Sequence, residues 1–146
     1  MRAQDSNFNV SIQERLDSSI EPIKVVAHDL SRVFLNIANN ACYAAYEKKK
    51  RLGDGFVPTV SASTKNHDDY VEVRIRDNGD GMPDSVRKRI FEPFFTTKPT
   101  GSGTGLGLSM SYEIIVQEHK GQIRVDSEPG EFAEFILMIP KDTGNP

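Results

Sequence analysis

Apolar positions along this chain follow two rhythms, and the switch between them marks its elements. Over residues 29 to about 50 they recur at helical spacing. Leu30, Val33, Phe34, Ile37, Ala41, Ala44 and Ala45 form one stripe, as in a helix with one buried face. Lys48-Lys49-Lys50-Arg51 and then Gly53 make an ordinary, solvated helix end, with cations at the negative end of the dipole. Alternation takes over at 57–63 and 70–77, which predicts two strands joined by Lys65-Asn66-His67-Asp68-Asp69. β-Branched and apolar residues on either side of Asp17-Ser18-Ser19 predict two further short strands, 7–16 and 20–26. Pro83 opens a short helix to about residue 90, with proline at its first helical position. A longer helix follows over 107–119, then a hairpin of 122–127 and 132–139 around Glu128-Pro129-Gly130. This mixture predicts an α+β fold with helices on one face of a mixed sheet.

The 146 residues suit one domain with a real core, here expected over 7–140 with loose ends at 1–6 and 141–146. A net charge of −3 and a pI near 5.6 point away from nucleic acid or an anionic membrane surface as the main partner. The single cysteine, Cys42, excludes a disulfide framework and a cysteine-based metal site, and its Ala-rich surroundings predict a buried thiol. There is neither an apolar run of about 20 residues nor a signal-peptide core, and the Asn9-Val10-Ser11 sequon carries no weight without one. The expectation is a soluble, cytoplasmic domain, excised from something larger.

Three segments carry candidate chemistry. Asp77-Asn78-Gly79-Asp80-Gly81-Met82 ends an alternating strand in which Val71, Val73 and Ile75 share a face, with Glu72, Arg74 and Arg76 opposite. Asp77 continues the apolar phase. An inward carboxylate is costly unless donors meet it. A purine's exocyclic amine is one such donor; the alternative is an aspartate capping its own turn. In the long helix, Asn36 and Asn40 lie on one line near Arg32, Tyr43 and Glu47, while Asn39 points further toward solvent. Amide oxygens at that edge suit a hard cation such as Mg²⁺, the alternative being a polar helix flank. Gly101-Ser102-Gly103-Thr104-Gly105-Leu106-Gly107-Leu108 exposes backbone N–H groups at a helix start, an arrangement suited to phosphate. It lacks the Lys-Ser/Thr of a P-loop and follows no strand as a dinucleotide fold requires. Leu106 and Leu108 between glycines argue against a flexible linker. The aspartate turn and the glycine run read as two sides of one nucleotide pocket.

In order, Asn36-Ile37-Ala38-Asn39-Asn40-Ala41, the Asp77–Met82 turn, Phe91-Glu92-Pro93-Phe94-Phe95 and Gly103-Thr104-Gly105-Leu106-Gly107-Leu108 carry a family resemblance. The chain resembles the ATP-binding catalytic domain of a sensor histidine kinase over roughly residues 7–140. It belongs by that resemblance to the Bergerat-fold (GHKL) superfamily of gyrase, the ninety-kilodalton heat-shock chaperone and mismatch-repair ATPases. The wording Phe-Phe-Thr-Thr-Lys and Gly-Thr-Gly-Leu-Gly-Leu-Ser is similar to the nitrogen-regulatory kind. The resemblance implies a two-layer α/β sandwich that takes ATP and Mg²⁺ under a mobile lid. Asp77 would accept from the adenine amine, and Gly79, Gly81 and Met82 would lie along the base, with Gly81 letting it approach the backbone. Asn40 would ligate Mg²⁺ beside Asn36, which with Lys98 completes the catalytic set. The lid would span 82–102, with Phe91, Phe94 and Phe95 as its apolar plug. Thr97, Lys98, Gly101, Gly103, Thr104, Gly105, Leu106, Gly107 and Leu108 would line the phosphates.

The chain departs from the family's pattern in three places. Tyr43 stands where a basic residue is common, and Phe132-Ala133 where a Gly-Thr pair is usual, which removes a hydroxyl near the adenine. The third departure is the phosphoacceptor. His28-Asp29-Leu30 imitates the acceptor motif, but Val33 occupies the proline position and the segment abuts the metal asparagines. His28 therefore reads as the lead-in to the helix, and His67 and His119 as structural or solvated. The implied activity is γ-phosphoryl transfer to a histidine on the dimerisation hairpin of a longer parent, with a response regulator as indirect partner. The resemblance allows that parent to be membrane-bound, this domain making no direct membrane contact. The alternatives are a conformational ATPase and an anti-sigma-type serine kinase. ATPase relatives carry a glutamate base one turn before the metal asparagine, where this chain has Asn36, an amide that takes no proton at neutral pH.

Overall fold

The computed structural model describes residues 10–95 and 107–141. Five strands form one mixed sheet in the order β1-β2-β3-β5-β4. They are β1 (Ser11–Arg15), β2 (Thr59–Asn66), β3 (Tyr70–Asp77), β4 (Gln122–Glu128) and β5 (Phe132–Pro140). β1 runs parallel to β2, and the remaining pairs are antiparallel. Three helices accompany them: α1 (Ala27–Leu52), a single turn α2 (Asp84–Arg87), and α3 (Gly107–Tyr112), which widens into a π-helical segment, Glu113–Glu118. The fold class is the expected one.

The helical stripe is the core face of α1, with Leu30, Val33, Ile37, Ala41, Cys42 and Ala45 all buried. Cys42 is the buried free thiol that its surroundings predict. Burial pushes it upward in pKa, and the nearby Asp77 charge pushes the same way. α1 runs slightly past its expected ends and stops at Gly53, whose φ of 81° suits glycine. Ile75 and Phe135 pair across β3 and β5, as do Val73 and Leu137. Those four face the helices with Ile123 and Val125 of β4 and with Ile114 and Ile115. The other face of the sheet carries an ion network in which Arg74 bonds both Glu72 and Glu134, and Glu72 also meets His67, which stacks on Tyr70.

Two expectations about elements need correction. Residues 20–26 form no strand; they are extended chain between the Asp17 turn and α1. Their apolar character is real, because Ile23 and Val25 pack against the core. The segment carries the chain from the sheet to the helix layer, since the parallel β1–β2 pair needs a crossover and α1 supplies it. The helix after Pro83 is likewise shorter than expected. Pro83 lies just before its first turn, in extended conformation, and regular helix ends at Arg87.

His119 is structural. It is 2 % exposed. Nδ1 bonds the Ile114 carbonyl at 2.8 Å, and Nε2 accepts the Val26 N–H at 3.0 Å. Its ring thereby fixes the start of α1 to the end of the π segment, and the two bonds select the Nδ1–H tautomer. His119→Leu leaves the Val26 N–H without its acceptor and should destabilise the domain by about 1–3 kcal/mol in urea denaturation. His119→Gln, which keeps an acceptor and a donor, should cost less. Equal losses would show that ring volume, not bonding, is what matters.

Candidate functional site

β3 delivers Asp77 to the core face at its C-terminal end, where the residue is 3 % exposed. Register places it between Val60 of β2 and Ala133 of β5. Oδ1 accepts the Gly79 N–H at 2.8 Å, so the turn-capping role is present. The Ala133 N–H also supports the carboxylate. These donors do not offset desolvation. Burial raises the Asp77 pKa from 3.8 to about 6, against the pull of the Gly79 and Ala133 bonds and of the Arg76 and Lys48 charges.

The loop after Asp77 is held from three sides. Asn78 bridges to the start of β2, accepting the Thr59 N–H at 2.8 Å and donating to the Val57 carbonyl at 2.9 Å. A Cβ on Gly79 would lie 2.8 Å from backbone atoms of Ala44 in α1. Gly81 has a φ of 64°, and a Cβ there would stand 2.5 Å from the Glu128 carbonyl oxygen. Its glycine is demanded by the β4–β5 hairpin, a reason separate from the expected approach of a base. Met82 donates its N–H to the Ser127 hydroxyl at 2.7 Å and packs against the core.

Asn36 and Asn40 are both half-buried on α1, and Asn39 is exposed as its phase predicts. Asn36 Nδ2 donates to the Gly107 carbonyl at 3.3 Å, and the same carbonyl receives the Ser111 hydroxyl at 2.9 Å. Asn36 therefore ties α1 to the point where the glycine run enters α3. Leu108 packs against the core just beyond it. Thr97, Lys98, Gly101, Gly103, Thr104, Gly105 and Leu106 lie outside the described residues.

The three phenylalanines expected to act as one plug take separate places. Phe91 packs on Tyr112 and edge-on to Phe135, with ring centroids 5.6 and 6.3 Å away. Phe95 lies under the Arg89 guanidinium at 4.6 Å. Phe94 is 72 % exposed and has a φ of 66°, uncommon for a bulky side chain. The first part of the expected lid is thus pinned to the core through Met82, Ile90 and Phe91.

Two structural residues escaped the sequence pattern. Lys48 donates to the carbonyls of Gly130 at 2.7 Å and Gly79 at 3.4 Å, and Arg51 pairs with Asp80. Both sit in a basic run that resembles a solvated helix end, and only the tertiary fold turns them onto the loop.

The family described as histidine kinase-, DNA gyrase B- and HSP90-like ATPase matches residues 25–143. The chain belongs to this family. Sporulation kinase E of Bacillus subtilis is 40 % identical over 140 residues, covering 96 % of this chain and 18 % of that protein. The sensory histidine kinase/phosphatase NtrB of Azospirillum brasilense is 35 % identical over 138 residues, covering 90 % of this chain and 34 % of its own length. The chain therefore spans about a fifth to a third of these relatives. The nucleotide-free catalytic domain of the histidine kinase ThkA superposes with a TM-score of 0.79 at 27 % identity, over 97 % of this chain and 86 % of that one.

Within this ATPase family, the Phe132-Ala133 departure falls beside Asp77. Ala133, which lacks the expected hydroxyl, is Asp77's register partner, and Phe132 lies under the Arg76 guanidinium at 3.8 Å. Among the described residues no helix is long and apolar enough to cross a membrane.

The raised pKa makes a thermodynamic prediction. The fold binds the Asp77 proton more tightly than the unfolded chain does. Stability from the protonated form is therefore full below pH 3.8 and is lost as pH rises through about 6. Relative to Asp77→Asn, the wild type should lose stability on the order of 3 kcal/mol across that window. Paired denaturation curves at several pH values test this, and a difference independent of pH would contradict it.

Proposed function

We propose that this chain is the ATP-binding catalytic part of a sensor histidine kinase. In its parent it would transfer the γ-phosphoryl group of Mg-ATP to a histidine on a separate helical hairpin. The observation that carries this is Asp77, a carboxylate kept on the core face at a strand end, where burial outweighs its two backbone donors. An adenine amine would add a further donor to this buried carboxylate, and the recovered desolvation cost is then part of the binding energy. The names of the relatives support the same class of activity.

The residues present suit a nucleotide-borne magnesium ion. Among the described residues no three His, Cys, Asp or Glu side chains converge on a common point. Mg²⁺ bound chiefly through phosphates and water needs only one or two protein ligands, and the amide oxygen of Asn40 is a suitable hard donor. When bound, the ion neutralises charge on the phosphates during transfer. Asn36 holds the entry of the glycine run through Gly107, which fixes the helix start toward which phosphates are drawn. Lys98 and the glycines 101–107 complete the phosphate side in this proposal.

Asn36 also separates kinase from ATPase. Its amide is a donor to Gly107 and cannot take a proton from water, so hydrolysis lacks a base at that position. A neutral imidazole brings its own lone pair and needs little such help. A histidine-bearing partner hairpin is therefore the expected acceptor, and a response regulator the next carrier.

Calorimetry should show ATP binding that weakens on removal of Mg²⁺ or with Asn40→Ala. Asp77→Asn should weaken adenine nucleotides by about 1.5–3 kcal/mol. With radiolabelled ATP the isolated chain should stay unlabelled, and an added hairpin should acquire acid-labile label, limited by weak docking without the tether. Acid-stable label would indicate a serine kinase. Brisk turnover without a partner, lost in Asn36 variants, would indicate a conformational ATPase.

A further inference from the structure

The turn of α1 around Lys48 reaches over the loop that carries Asp77. The Lys48 ammonium bonds the carbonyls of Gly130, in the β4–β5 turn, and of Gly79. Gly79 returns the connection through its other face, since its N–H is the one that caps Asp77 Oδ1 at 2.8 Å. The hairpin turn closes the circuit, with the Gly130 N–H donating to the Asp80 carbonyl at 2.6 Å and Arg51 pairing with the Asp80 carboxylate. The Lys48 ammonium lies over the Phe56 ring, 5.2 Å from its centroid. The loop has no slack on this side, because a Cβ on Gly79 would stand 2.8 Å from the Ala44 backbone.

We propose that Lys48 is a positioning residue for nucleotide recognition, holding the Asp77–Met82 loop and the β4–β5 turn in the arrangement that presents the Asp77 carboxylate to the base. This rests on the assignment of Asp77 as the adenine acceptor. Its neighbours in the basic run do different work: Lys49 bonds the Phe56 carbonyl and Lys50 pairs with Glu47. The charged and titratable groups around Asp77 are Lys48 and Cys42 from α1 and Arg76 from its own strand, with the Ala133 N–H from β5. Burial dominates and favours the protonated acid, whereas the Gly79 and Ala133 N–H groups and the Arg76 and Lys48 charges favour the carboxylate. Removing Lys48 should therefore weaken ATP binding and raise the pH at which Asp77 loses its proton.

The experiment compares wild type, Lys48→Met, Lys48→Gln, Lys48→Arg and Asp77→Asn in the apo chain and with ATP. The Asp77 carboxyl is titrated directly by ¹³C NMR, and ATP affinity is measured from pH 5 to 8. Lys48→Met should raise the ATP Kd roughly 3–10-fold at pH 7.5 and move the carboxyl midpoint and the acid fall-off of binding upward together. Lys48→Gln should do the same to a smaller extent and covers the case in which Lys48→Met fails to fold. Lys48→Arg, which keeps charge and donors, should restore both midpoints. Loss of thermal stability with unmoved midpoints would mean that Lys48 is only structural and would overturn the proposal. If Asp77→Asn leaves ATP affinity and its pH profile unchanged, the Asp77 assignment itself falls, whatever Lys48 does.

Discussion

A carboxylate held out of water at the end of β3 is the constraint around which this site is arranged. Asp77 belongs to the core face by strand phase, in register between Ala133 and Val60, and is 3 % exposed. Burial of a charge requires donors, and the fold supplies two from the backbone, at Gly79 and Ala133. The loop can curl back to offer the Gly79 N–H only because glycine at 79 fits against Ala44 and glycine at 81 fits under the hairpin. What remains of the desolvation cost is the source of the raised pKa.

α1 connects that constraint to the rest of the domain. One face fills the core, and the helix doubles as the crossover that makes β1 and β2 parallel. The edge of the same helix carries Asn36 and Asn40, and its last turns place Lys48 and Arg51 on the Asp77 loop. A single rigid element therefore reaches the loop proposed for the base, the asparagine proposed for the metal and the entry to the glycine run. His119 fixes where that element begins, through the Val26 N–H. A shift of α1 would move all three together, which is why substitutions at its ends are expected to act on binding as well as on stability.

The chemistry favoured at this site follows from an amide where a base would otherwise stand. Asn36 is committed to the Gly107 carbonyl, which Ser111 also bonds, so its role is to anchor the helix start. With water unassisted, a phosphoryl group activated by the proposed Mg²⁺ waits for a stronger nucleophile, and an imidazole on a docked hairpin is one.

Local pattern by itself determined the helical face of α1, the strands β2 to β5, the inward phase of Asp77 and the buried Cys42, because each depends on spacing within one element. The motif order was enough to name the family. Other features depended on contacts between distant segments and were decided only by the tertiary structure. Residues 20–26 carry an apolar pattern but became a crossing segment, because β1 pairs parallel to β2 and the chain must leave the sheet. Phe91, Phe94 and Phe95 look alike in sequence and were separated by what each one meets: Phe135, solvent and Arg89. Lys48 is indistinguishable from its basic neighbours until the β4–β5 turn is brought beneath it. Periodicity reports which way a side chain points from its own helix or strand, and only the folded chain reports what is there to receive it.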